Sequence, residues 1–221
     1  MSLATPRWAD LFRQSVSIIA QAEQCHALSV DWTFGGGTAL MVQIAHRDSF
    51  DVDIFVDDPQ ILNFLNPETQ DYQLEMRPNE YHLSGHHALK LAFGDMGQID
   101  FICAAAILEH PAERADVLGH VVAKETPSEI VAKKIVYRGS HIQPRDLFDI
   151  AAVARHMGPD RLAAALGPVR SEAGVALERA QRLKPAAVES VLKQLQIYPD
   201  YADLCATATD EALAVLRTCA R

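Results

Sequence analysis

With 221 residues, 49% of them hydrophobic, the chain is long enough for one large domain or two small ones and too apolar for bulk disorder. Its formal net charge of -9 excludes a generally basic surface of the kind that coats nucleic acid, although its 20 Lys and Arg suffice for a local basic groove. Cys25, Cys103, Cys205 and Cys219 form no CxxC pair, which argues against a zinc knuckle and for reduced, packed thiols.

The opening stretch "MSLATPRWADLF" has no long apolar core, and no later run is long enough to span a bilayer, so a reducing cytoplasm is the expected setting. Residues 8–28 carry apolar positions at helical spacing. "DWTF" at 31–34 reads as a short strand, three glycines follow, and "TALMVQIAHR" reads as a helix. "FDVDIFV" at 50–56 alternates with period two and reads as a strand. Asp57-Asp58-Pro59 suits a turn into a short helix. "DYQLEMR", "EYHLS", "HHALKLAFG" and "GQIDFICAA" are expected to be further strands, divided by Gly, Asn and Pro. From Thr126 onward Ala, Leu, Glu, Arg and Lys dominate. Thr126 is placed to cap a helix, with Pro127 in its first turn and Glu129 three residues after the cap. "QPRDLFDIAAVARHMG" is a second helix closing at Gly158, and four more helical stretches complete the chain. The expected fold is α+β: a mixed sheet with flanking helices over residues 1–115, then a helical bundle over 116–221.

The glycines and the paired aspartates carry the chemistry. Asp51 and Asp53 stand two apart on a strand, so both side chains leave one face, while Val52 and Ile54 point into the core. Two like charges so placed repel unless a cation or base lies between them, and hard oxygen donors select Mg²⁺ or Mn²⁺. Gly35 to Gly37 let backbone approach a ligand at a helix start, where N–H groups attract phosphate, and Thr38 adds a hydroxyl. No Lys-Ser/Thr follows, so this is not a Walker loop. A third carboxylate would complete a two-metal site. Asp100, between Ile99 and Phe101 in an apolar strand, is the best candidate, because a charge there is costly without a partner. The histidines at 82, 86 and 87 read as exposed strand-turn residues.

A Gly-rich turn, a helix, DxD on the next strand and a third Asp on a later strand resemble the polymerase-beta-like nucleotidyltransferase superfamily. "GGTALMVQIAHRDSFDVDIF", "SEIVAKKIVYRGS" and "PRDLFDI" more narrowly resemble the AbiEii/AbiGii-type nucleotidyltransferase toxins. The resemblance implies that Gly36, Gly37 and Thr38 hold the triphosphate, and that Asp51, Asp53 and Asp100 bind metal. It implies that Lys134 pairs with nucleotide phosphate, that Arg47 neutralises the acidic strand or touches phosphate, and that Arg145, Asp146 and Asp149 form an RDxxD element. On this reading the helical part contributes Lys134 and that element to the site.

The implied activity moves a nucleoside monophosphate from an NTP to an RNA (tRNA-like) or protein acceptor and releases pyrophosphate. The implied setting is a bacterial toxin–antitoxin or abortive-infection system, with a cognate antitoxin as partner. The alternative is a non-catalytic module that binds a nucleotide or partner on the same fold. The intact carboxylate set and Thr38 favour the enzyme.

Overall fold

In the computed structural model, which describes residues 6–221, the expected amino-terminal helix is α1 (Arg7–His26). Its helical spacing buries Leu11, Phe12, Ile18, Ile19 and Ala22 on one face. It stops where Ala27 turns left-handed, at φ 51°. The chain forms two compact units. The first takes residues up to Ala39 with Ser49–Ala106 and Ala112–Glu125; the second takes Leu40–Asp48, Ile107–Pro111 and Thr126–Arg221.

The first unit is built on a seven-stranded mixed sheet: β1 (Trp32–Gly35), β2 (Val52–Val56), β3 (Glu80–Ser84), β4 (Ala88–Ala92), β5 (Gln98–Cys103), β6 (Ala112–Val117) and β7 (His120–Glu125). Its order is β3-β4-β5-β2-β1-β7-β6. The β2–β5 and β1–β7 pairs are parallel and the others antiparallel. Alternation along β2 buries Val52, Ile54 and Val56, and α1 packs on β2 and β5. Phe12 of α1 meets Phe34 of β1 at a centroid separation of 4.9 Å in this core.

Two stretches depart from the sequence expectation. Residues 71–77 are not a strand. Side chains of α1 bond three of their backbone groups instead: Gln21 both accepts from Gln73 N (2.8 Å) and donates to Gln73 O (3.0 Å), and Gln14 accepts from Met76 N (3.1 Å). The β6–β7 hairpin is a second departure, with no turn signature in the sequence. Its turn places Leu118 at φ 55° and Gly119 at φ 86°, with Asp116 Oδ1 accepting from Gly119 N, a conformation that Leu seldom signals. Because this hairpin joins the sheet, the first unit continues past residue 115 to Glu125.

The second unit is helical: α5 (Pro127–Arg138), α6 (Pro144–Met157), α7 (Pro159–Ala165), α8 (Arg170–Gln181), α9 (Pro185–Leu192) and α10 (Ala208–Cys219). Earlier in the chain are α2 (Gly36–Ile44), whose end from Leu40 on belongs to the second unit, α3 (Ile61–Phe64) and α4 (Pro67–Gln70). The Thr126 side chain accepts from Glu129 N, as the cap pattern predicted, and a reciprocal Gln143–Asp146 capping box opens α6. Leu147, Phe148, Ile150, Ala151 and Val153 of α6 are fully buried, and α5, α7, α9 and α10 pack around that helix. Among the described residues, no helix is long and apolar enough to cross a membrane.

Candidate active site

Strand register sets out an acidic row in the first unit. Gly35 pairs with Asp53, Asp53 with Asp100, and Asp100 with Lys90, so one level of four adjacent strands carries these residues. Asp51 lies just before β2. Its Oδ1 accepts from Gln98 N (3.2 Å), while the Gln98 side chain donates to Asp100 Oδ2 (3.3 Å), so a single residue ties two of the carboxylates together. Lys90 Nζ stands 3.8 Å from the same Asp100 oxygen. Asp100 Oδ1 is buried and has no hydrogen-bond partner among the described residues. Burial, then the charge of Asp53, pushes Asp100 up to about 7; Lys90 pulls against this and Asp51 adds to it.

The glycines are required by contact. Gly36 has φ +69°, and a Cβ there would collide with the Asp53 carboxylate. A Cβ on Gly35 would strike the Glu125 carboxylate and the Phe55 ring. Gly36, Gly37 and Thr38 form the first turn of α2, where backbone N–H groups have no intrahelical acceptor. Thr38 is fully buried, and its hydroxyl donates to the backbone carbonyl of Asp51. It therefore fastens the segment bearing Asp51 to the helix start, whereas the family resemblance had given that hydroxyl to the triphosphate.

Among the described residues, no three His, Cys, Asp or Glu side chains stand as a finished cation cage. The donor chemistry still fits a hard divalent ion. Three carboxylates act on one another electrostatically, one buried oxygen lacks a hydrogen-bond partner among the described residues, and glycine at 36 lets the Asp53 carboxylate pack against the start of α2.

The remaining expected residues gather in the second unit and use their charges on one another. Asp149 is fully buried. Its Oδ1 accepts from Arg47 Nε (2.7 Å) and pairs with His46 Nε2 (3.0 Å), and its Oδ2 accepts from Arg47 Nη2 (2.9 Å) and lies 3.0 Å from Lys134 Nζ. Lys134 also donates to Asp146 Oδ1 at 2.8 Å. Asp146 Oδ2 accepts from Gln143 N, with Arg138 Nε at 3.5 Å. Burial would raise Asp149, but Lys134 and then Arg47 hold it well below the usual carboxylate range. Burial would lower Lys134, but Asp149 and Asp146 raise it above the ordinary ammonium value. Arg145 is exposed, so it does not form the helical ion pair with Asp149 that their i,i+4 spacing suggests.

Sequence reasoning missed Gln98, Lys90 and Glu125. Gln98 and Lys90 occupy alternate polar positions of β5 and β4, which look like an ordinary solvent-facing pattern. Glu125 is 1% exposed, and its Oε1 accepts from Thr33 Oγ1 (2.9 Å). A carboxylate directly before a helix cap gives no sign in sequence that it packs under a glycine.

Residues 18–215 match the family profile described as Nucleotidyl transferase AbiEii toxin, Type IV TA system. Among solved structures, MenT4, a nucleotidyltransferase toxin from Mycobacterium tuberculosis H37Rv, is 14% identical with a TM-score of 0.55, covering 95% of this chain and 82% of that one. JHP933 from Helicobacter pylori is 16% identical with a TM-score of 0.52, covering 98% and 93%. ANT(2'')-Ia, solved in complex with adenylyl-2''-tobramycin, is 14% identical with a TM-score of 0.52, covering 74% and 97%. At such identities the likeness is one of fold. A comparison with curated proteins gives no match.

Proposed function

The chain belongs to the AbiEii nucleotidyltransferase toxin family, and we propose that the acidic row of its first unit is where a divalent ion and an NTP meet for transfer of the nucleoside monophosphate. The observation that carries this reading is the register of Asp53 and Asp100 on adjacent parallel strands, with Asp51 two residues before Asp53 and the glycine start of α2 against the Asp53 carboxylate.

Asp51, Asp53 and Asp100 would hold Mg²⁺ or Mn²⁺. Bound there, the ion would lower the pKa of an acceptor hydroxyl and offset charge developing on the α-phosphate. The backbone N–H groups of Gly36 and Gly37 receive phosphate at the start of α2. Thr38 fixes the main chain at Asp51, and Gln98 holds Asp51 and Asp100 in mutual orientation. Asp100 Oδ1 is the atom we assign to take the acceptor proton: it has no hydrogen-bond partner among the described residues and stands at the same level of the sheet as Asp53. Lys134, Arg47, Asp146 and Asp149 brace the second unit, each neutralising another. The acceptor is a hydroxyl of RNA or protein, and a cognate antitoxin restrains the enzyme.

Incubation with α-labelled NTPs, Mg²⁺ and either total RNA or lysate protein tests the reading and separates the two acceptors. Wild type transfers label and releases pyrophosphate, and Asp51→Ala/Asp53→Ala loses roughly 10³-fold or more. Equal labelling by the two proteins would remove the site. NTP binding without pyrophosphate release under any acceptor would indicate a binding module.

A further inference from the structure

We infer that Lys90 is a resident counter-ion of Asp100 in the acidic row: it competes with the divalent ion for Asp100 and, once displaced, meets the phosphates of the nucleotide. The inference rests on the reading of the row as a metal and NTP site. It begins from register. Lys90 stands beside Asp100, which stands beside Asp53, and the three share one alternation phase, opposite the buried Leu89, Leu91, Ile99, Phe101, Val52 and Ile54. The Lys90 side chain therefore rises from the same sheet face as the carboxylates.

Its contact with Asp100 suits a replaceable partner. The Nζ–Oδ2 distance is 3.8 Å, longer than a charge-assisted hydrogen bond, and the Lys90 side chain is 44% exposed. Lysine is a compact charge on a flexible stem, able to swing away at small cost. Contrast Lys134, 10% exposed and held by two aspartates at 2.8 and 3.0 Å. Lys90 and Gln98 both engage Asp100 Oδ2, which leaves Oδ1 without a hydrogen-bond partner among the described residues. A divalent ion at Asp100 repels the ammonium. The triphosphate supplies the new anion that the ammonium then faces, so Lys90 weakens binding of metal alone and strengthens binding of nucleotide.

Two measurements with opposite expected signs test this. Mn²⁺ titration followed by electron paramagnetic resonance, without nucleotide, should show Lys90→Met binding the ion about two- to fivefold more tightly than wild type, the range expected of a half-exposed pair. Lys90→Arg, which keeps the charge, should match wild type. KM for the NTP should rise in Lys90→Met. A variant that was merely damaged would lose metal and nucleotide affinity together, and that result overturns the inference, as does equal Mn²⁺ affinity in wild type and Lys90→Met. Absence of Mn²⁺ binding by wild type, matched by Asp51→Ala/Asp53→Ala, overturns the underlying site and Lys90's role with it. Binding by wild type that the double variant abolishes keeps the site, whatever Lys90 does.

Discussion

Asp149 in the helical unit and Asp100 in the sheet unit are both largely withdrawn from water, yet their ionisation is driven in opposite directions. Asp149 receives Arg47 in a bidentate grip, Lys134 and His46, and stays charged. Asp100 has two other carboxylates nearby, a long contact to Lys90 and one oxygen without a hydrogen-bond partner among the described residues. A buried acid that is fully paired braces a fold; one left wanting a cation is poised to bind something. The same residue type thus has different work in the two units, and the difference lies in its partners.

Removing the paired acid should do the most damage. Asp149→Asn leaves Arg47 and Lys134 with too little compensating charge and should cost about 3–5 kcal/mol of stability, read by chemical denaturation. The folded pKa of Asp149 lies below its unfolded value, so its stabilisation is complete above the unfolded value and is lost as pH falls through the folded one. The deficit of the variant should therefore persist from neutrality to about pH 4 and shrink only in stronger acid. An unchanged denaturation midpoint would break the contrast between the two carboxylates.

Neutralising the weakly paired acid should have the opposite sign. Asp100→Asn should stabilise the metal-free protein by up to about 4 kcal/mol while abolishing transfer. Here the folded pKa, about 7, lies above the usual 3.8, so the wild type loses stability as pH rises between those values. The advantage of the variant should be absent near pH 4, grow towards pH 7 and then level off. Thermal melts across this range check it, and a variant less stable at every pH would contradict it.

A smaller effect sharpens the same lesson. Glu129 is fully buried, and its two oxygens accept from Ile107 N and Leu108 N, both at 2.9 Å, so it is satisfied by backbone alone. Glu129→Gln turns one acceptor into a donor and should cost about 1–2 kcal/mol in the same denaturation assay.

Much of this architecture could be read in advance, because alternation and capping are local. "FDVDIFV" has the alternation of its strand, Thr126 and Pro127 carry the cap pattern of α5, and Asp51, Asp53 and Asp100 stand out in sequence as carboxylates among apolar neighbours. What local pattern could not supply was partnership. Lys134, Arg47 and Asp149 read as phosphate and site residues by resemblance, and only coordinates reveal that they satisfy one another. Gln98 and Lys90 acquire meaning from strand register, set by pairings distant in sequence. "DYQLEMR" has a strand's alternation, but α1 supplies its hydrogen bonds through Gln14 and Gln21, so tertiary contact overrode propensity.

A crystal of the protein soaked with Mn²⁺ and a non-hydrolysable NTP tests the central claim most directly. We predict anomalous density for Mn²⁺ within coordination distance of Asp51, Asp53 and Asp100, with the phosphates at the Gly36–Gly37 backbone. Manganese and phosphates bound elsewhere, with these three carboxylates untouched, would contradict the account.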